Sequence, residues 1–166
     1  YSNFYLNLSK YLNKNFHSYN TLLAENLYNT DNFDYSKKIY ENLGKQGNEY
    51  YWYSSKQISK ILISQDEDEK AIKNLTAAYL KIKDKNVYKK FDYAKFLKNN
   101  KEFNKSIKLY TEIINSINKN HPLYPKAKEG RGEAYERTGN WKKAEKDLLD
   151  SLKSDPNQAY VINYLA

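Results

Sequence analysis

The chain has 166 residues, 40% of them hydrophobic, and carries a formal net charge of +8 with a pI near 9.3. It contains no cysteine, which excludes disulfides, thiolate catalysis and cysteine-ligated zinc, and which suits cytoplasm or periplasm alike. No run approaches the roughly 20 apolar residues that a membrane-spanning helix needs, and a first residue other than methionine leads us to expect a piece of a longer protein.

Apolar residues recur three and four apart along the chain, the period of a helix rather than of a strand. In chain order, residues 1–16 read as the second helix of a preceding helix pair. Complete pairs follow at 17–51, 52–86, 87–124 and 125–158, and 159–166 opens a further one, so that 1–166 reads as a single repeat domain. The register comes from self-similarity, the signature of repeat architectures. Ala24 to Tyr40 and Ala94 to Tyr110 align without gaps at an offset of 70, with seven of seventeen positions identical. Ser59, Leu62, Ala71, Leu75 and Ala78 fit the intervening unit. The longer last spacing places an insertion around Asn118 to Tyr124, where Asn-His-Pro reads as an extended connection. Asp66 to Glu69 lacks the glycine and distal glutamate of a calcium loop and is expected to cap a helix amino terminus.

The last complete unit carries the most specific pattern. Gly132 and Tyr135 fall on its first helix, Gly139 breaks that helix, Trp141 and Ala144 open the second, and Pro156 stops it. Gly132 permits close helix approach, while Tyr135, Trp141 and Leu148 are expected to supply bulk around the contact. Gly139 and Asn140 suit the left-handed backbone of a helix stop, and Asp155 or Asn157 the cap of a following helix. By the repeat register, Ala24, Ser59 and Ala94 should occupy contacts equivalent to Gly132.

This pattern resembles the tetratricopeptide repeat. The resemblance implies an all-α, right-handed superhelical array of antiparallel helix pairs and a non-catalytic scaffold from a larger bacterial tetratricopeptide protein. Its ligand would be a protein or peptide held in an inner groove lined by the first helix of each pair. The expected groove residues are Tyr53, Lys56 and Lys60 in one unit and Tyr88, Phe91, Lys95, Lys98 and Asn99 in the next. Glu129, Glu133 and Glu136 follow. Carrying over the carboxylate clamp of chaperone-binding members gives Lys56, Lys60, Asp92, Lys126 and Gly130, of which only Lys56 and Lys126 match, so that clamp is not implied.

Ten of the lysines lie between Lys81 and Lys108 against three acids. The groove is therefore expected to start as a basic, aromatic strip, solvated at Lys95 and Lys98, and to turn acidic at Glu129. Such a strip would orient a partner with an acidic segment. The alternative is a basic helical-repeat module that binds nucleic-acid backbone, disfavoured because arginine, the usual bidentate phosphate ligand, occurs only at Arg131 and Arg137. The lysine, asparagine, isoleucine and tyrosine excess also matches coding bias of an AT-rich genome. No nucleophile elbow, phosphate loop or dinucleotide fingerprint occurs, so no catalytic residue and no cofactor is expected. His17 and His121 stand too far apart in the repeat frame for a metal site. Val161, Ile162, Tyr164 and Leu165 should form an unpaired apolar surface that promotes end-to-end self-association.

Overall fold

The computed structural model describes residues 2–13, 17–154, 156, 161 and 162. Every regular element among them is helical. The chain divides into two compact units, 1–83 and 84–166. The first holds α1 (Ser2–Leu12), α2 (His17–Asn29), α3 (Phe33–Leu43), a 3₁₀ turn (Gly44–Gln46), α4 (Asn48–Ser64) and α5 (Asp68–Lys81). The second holds α6 (Val87–Asn99), α7 (Phe103–Ser116), α8 (Leu123–Arg137) and α9 (Trp141–Ser154).

The helix pairs α2–α3, α4–α5, α6–α7 and α8–α9 are each joined by the same short turn. Asp31, Asp66, Lys101 and Gly139, spaced 35, 35 and 38 residues apart, all adopt φ values between 57° and 74°. The next amide in each case reaches back to the closing turn of the first helix: Asn32 to Leu27 O, Glu67 to Leu62 O, Glu102 to Leu97 O and Asn140 to Tyr135 O, at 2.8–2.9 Å. This is a Schellman stop, which satisfies carbonyls that a helix end leaves open. Gly139 was legible as such a stop. Its three equivalents are not glycine. Asp66 therefore serves the turn, and the adjacent Glu67 makes no side-chain cap bond; only Asp68 and Glu69 sit in the first turn of α5, where negative charge is favoured.

Within each pair the helices cross at small residues. Ala24, Ser59, Ala94 and Gly132 are buried on the first helices, opposite Ser36, Ala71, Ser106 and Ala144, all fully buried, on the second. Ser36 Oγ donates to Ala24 O at 2.7 Å and Ser106 Oγ to Ala94 O at 3.0 Å, while in the second pair the direction reverses, Ser59 Oγ donating to Ala71 O at 3.1 Å. A hydroxyl buried at such a contact would be costly without that bond. One helical turn later comes bulk: Tyr40, Leu75, Tyr110 and Leu148 are all at most 1% exposed. A Cβ on Gly132 would lie 2.8 Å from Leu148 Cγ, and one on Gly130 would lie 2.5 Å from Tyr110 Cζ.

Several expectations are corrected. Trp141 supplies no bulk to the contact; it is 58% exposed at the start of α9. The second pair opens at Asn48 rather than at Trp52, because α4 runs for 17 residues and starts a turn early. Of the two described residues of the expected apolar end surface, Val161 is fully buried and Ile162 is 46% exposed. Tyr164, Leu165, Asp155 and Asn157 lie outside the described residues. Among the described residues a large exposed apolar row lies on α1, with Phe4, Tyr5, Tyr11 and Leu12 each more than 60% exposed.

Two predictions follow from this geometry. Gly132→Leu should destabilise the chain by roughly 1–3 kcal/mol, because Leu148 is fully enclosed and cannot yield; chemical denaturation would show the lowered midpoint. Gly139→Ala should cost about 1 kcal/mol through backbone strain alone, since a Cβ there meets nothing within 4 Å. A midpoint equal to wild type for Gly139→Ala would contradict the left-handed turn.

Candidate peptide-binding surfaces

The residues expected in the groove divide between the two units and are taken within each. In the first unit they sit on α4, on the face shared with α2. Tyr53 is half-buried, and its hydroxyl donates to Glu25 Oε1 at 3.0 Å. Burial, and then that carboxylate, push its pKa up, so the phenol stays protonated. Lys60 is exposed, with its ammonium 4.3 Å from the centre of the Tyr28 ring, and Lys56 is half-buried, 5.9 Å from the Trp52 ring. Glu25, Tyr28, Gln57 and Lys60 line a hollow of about 250 Å³. This hollow is polar, with Tyr28 and Tyr40 among its walls, and its cation is already stacked on the Tyr28 ring.

In the second unit, α6 carries Tyr88, Phe91, Lys95 and Asn99 on the side turned away from Leu97. Tyr88 is 57% exposed, Lys95 and Asn99 are exposed, and Phe91 is half-buried edge-on against Tyr110 with ring centres 5.8 Å apart. Lys98 departs from expectation: its ammonium is paired with the Glu133 carboxylate from α8, and both side chains are mostly buried. Lys98 is thus not solvated. Glu136 is likewise engaged, its carboxylate 3.3 Å from Arg137 Nε on the same helix. Lys98, Asn99, Phe103, Glu133 and Arg137 line a hollow of about 450 Å³. Glu129 is half-buried; burial, then the charge of Glu133 and after it that of Glu129, hold the Tyr110 hydroxyl protonated.

A buried ion network in the same unit had no place in the sequence reading. Asp147 on α9 is 3% exposed and accepts from Lys128 Nζ at 2.8 Å, Arg131 Nε at 2.5 Å and an Arg131 terminal nitrogen at 2.9 Å. Asp150 Oδ2 lies 3.2 Å from Lys128 Nζ, and Arg131 also donates to Thr111 Oγ1 at 3.0 Å. Burial is the largest single influence and acts to lower the pKa of both cations, but the hydrogen bonds and charge of Asp147, with smaller contributions from neighbouring groups, together outweigh it and the net direction is up. The signal was available as spacing: Lys128 and Arg131 on one helix and Asp147 and Asp150 on the next each stand three apart, on one face.

No protein-family model and no curated protein matches the sequence. Solved structures do. The chain is similar to MamA from Desulfovibrio magneticus RS-1, with 11% identity, a TM-score of 0.67, and coverage of 90% of this chain and 81% of that one. The C-terminal part of a TPR repeat-containing protein from Cytophaga hutchinsonii aligns at 19% identity and TM-score 0.67, over 96% of this chain and 60% of that one. YrrB, described as a TPR protein with an unusual peptide-binding site, aligns at 11% identity and TM-score 0.55 over 96% of both chains. The chain has the tetratricopeptide-repeat fold. The buried ion network accordingly joins the two helices of one tetratricopeptide pair. Asp147→Ala would leave Lys128 and Arg131 buried without their shared carboxylate, and should cost about 3–5 kcal/mol in a denaturation titration.

Proposed function

We propose that the chain is a non-catalytic scaffold that holds a protein or peptide segment against the exposed faces of its first helices. The observation that carries this reading is the α6 row of Tyr88, Phe91, Lys95 and Asn99. It offers an exposed ring and an exposed cation on a helix whose opposite side, at Tyr93 and Leu97, is committed to the core. Aromatic rings give contact area at little conformational cost, and the cation selects partners with an acidic segment. Peptide binding by YrrB, a protein of the same fold, supports this assignment without specifying the ligand. Among the described residues no helix is long and apolar enough to cross a membrane.

The pairing of Lys98 with Glu133 narrows the test. Lys98→Glu would set two carboxylates together and disturb the helix contact, whereas Lys95→Glu alters only an exposed charge. Substitutions of that kind usually change stability by less than about 0.5 kcal/mol. Titrated with a fluorescein-labelled acidic peptide, Lys95→Glu should bind about tenfold more weakly than wild type at an unchanged melting temperature. Equal affinity of the two proteins would remove α6 from the binding surface. A parallel titration with a single-stranded oligonucleotide tests the other reading: affinity that falls steeply with rising salt would indicate phosphate contacts and favour nucleic-acid binding.

A further inference from the structure

A cleft of about 900 Å³ opens in the first unit, on the side of α4 opposite Tyr53 and Lys60. It exists because the connection from α3 to α4 is lengthened by the 3₁₀ turn Gly44–Gln46 and by Gly47, whose φ of 150° suits glycine. The early start of α4 adds a turn that carries Tyr51 into one wall. Ile58 and Ile82 complete the apolar lining.

The rim is cationic. Lys45, Lys81 and Lys83 stand around the opening against the single acid Glu41, and all four are exposed. Lys81 is held in place by the Tyr51 ring, its ammonium 4.7 Å from the ring centre. The lining also contains Ser54, which is 2% exposed and whose hydroxyl has no hydrogen-bond partner. An unpartnered buried hydroxyl is rare in folded proteins and marks a place where an acceptor is missing.

We propose that this cleft is a second docking site, for an acidic peptide segment that inserts one apolar side chain between Tyr51, Ile58 and Ile82. Its flanking carboxylates meet Lys45, Lys81 and Lys83, and a peptide oxygen accepts from Ser54. The volume lies in the range of roughly 300–1,000 Å³ that binding pockets occupy. Charge complementarity selects the acidic segment. The site does not depend on the α6 row, which uses other residues in the other unit.

The test uses the full chain carrying Lys95→Glu, which weakens the α6 row, and reads the cleft from the further loss caused by its own variants. Fluorescein-labelled peptides EDLFDE, the neutral QNLFNQ and the anchorless EDGGDE are titrated by fluorescence anisotropy. EDLFDE should bind saturably and about tenfold more tightly than either control. Adding Lys45→Glu and Lys83→Glu should weaken it by about tenfold again, with the circular dichroism melt unchanged because both side chains are exposed. Ser54→Ala, which removes the donor without adding volume, should weaken it by about threefold. Equal binding of the neutral peptide would overturn the proposal, as would unchanged binding in the Lys45 and Lys83 variant. So would the absence of saturable binding by EDLFDE.

Discussion

Each helix pair depends on one point of close approach at which neither helix presents a large side chain. Alanine meets serine at Ala24 and Ser36 and at Ala94 and Ser106, serine meets alanine at Ser59 and Ala71, and glycine meets alanine at Gly132 and Ala144. Close approach lets the bulky residue one turn on reach across the facing helix. That is why Leu148 can fill the space beside Gly132, while Tyr110 lays its ring over Gly130 on the first helix of the next pair. The serine hydroxyl adds direction to this contact, since it donates to the backbone of the other helix in three of the four pairs. Packing in these pairs is thus fixed by a small residue, a backbone hydrogen bond and a large residue in a fixed order.

That order made the pairs legible. The identities between Ala24–Tyr40 and Ala94–Tyr110 include Ala, Ser and Tyr, the three residues that form the crossing, so the alignment reads a physical contact rather than composition. The Schellman turn was legible only at Gly139, because Asp31, Asp66 and Lys101 adopt the same backbone without the residue that announces it. Aspartate tolerates the left-handed region, but lysine has no such excuse, and at Lys101 the closing hydrogen bond from Glu102 to Leu97 holds the strained residue. Trp141 failed for a different reason. Its position matches Phe33 and Phe103, which are half-buried, yet its own side chain is 58% exposed, so register alone does not fix burial.

The candidate surfaces were less legible than the fold, and the lysines show why. Lys95 is exposed, Lys98 is paired with Glu133, Lys89 is 6% exposed and lies 3.1 Å from Asp84, and Lys128 is buried against Asp147. A helical wheel assigns a lysine to a face but says nothing of a partner on another helix. In a repeat the missing information is partly periodic: Glu133 stands 35 residues beyond Lys98, so first helices of successive pairs bring together residues about one period apart. Tyr28 and Ser64, 36 apart and hydrogen-bonded at 2.7 Å, obey the same rule in the first unit. Searching for opposite charges at that separation would have found the Lys98 pair.

The same reasoning explains why the cleft beside α4 was invisible in the sequence. Its lining comes from α3, the 3₁₀ turn, α4 and α5, and what opens it is a connection whose extra residues the repeat register absorbed without signalling a gap. The spacing from Asp31 to Asp66 is 35, the same as from Asp66 to Lys101, although α4 has 17 residues and α6 has 13. Repeat length is conserved by trading helix against connection. The first of these units puts residues into a long first helix and a tight 3₁₀ entry, whereas the next leaves them in the coil before Val87. A constant period therefore fixes where helices cross but leaves free how the ends are built, and the ends are where this chain departs from its own repeat.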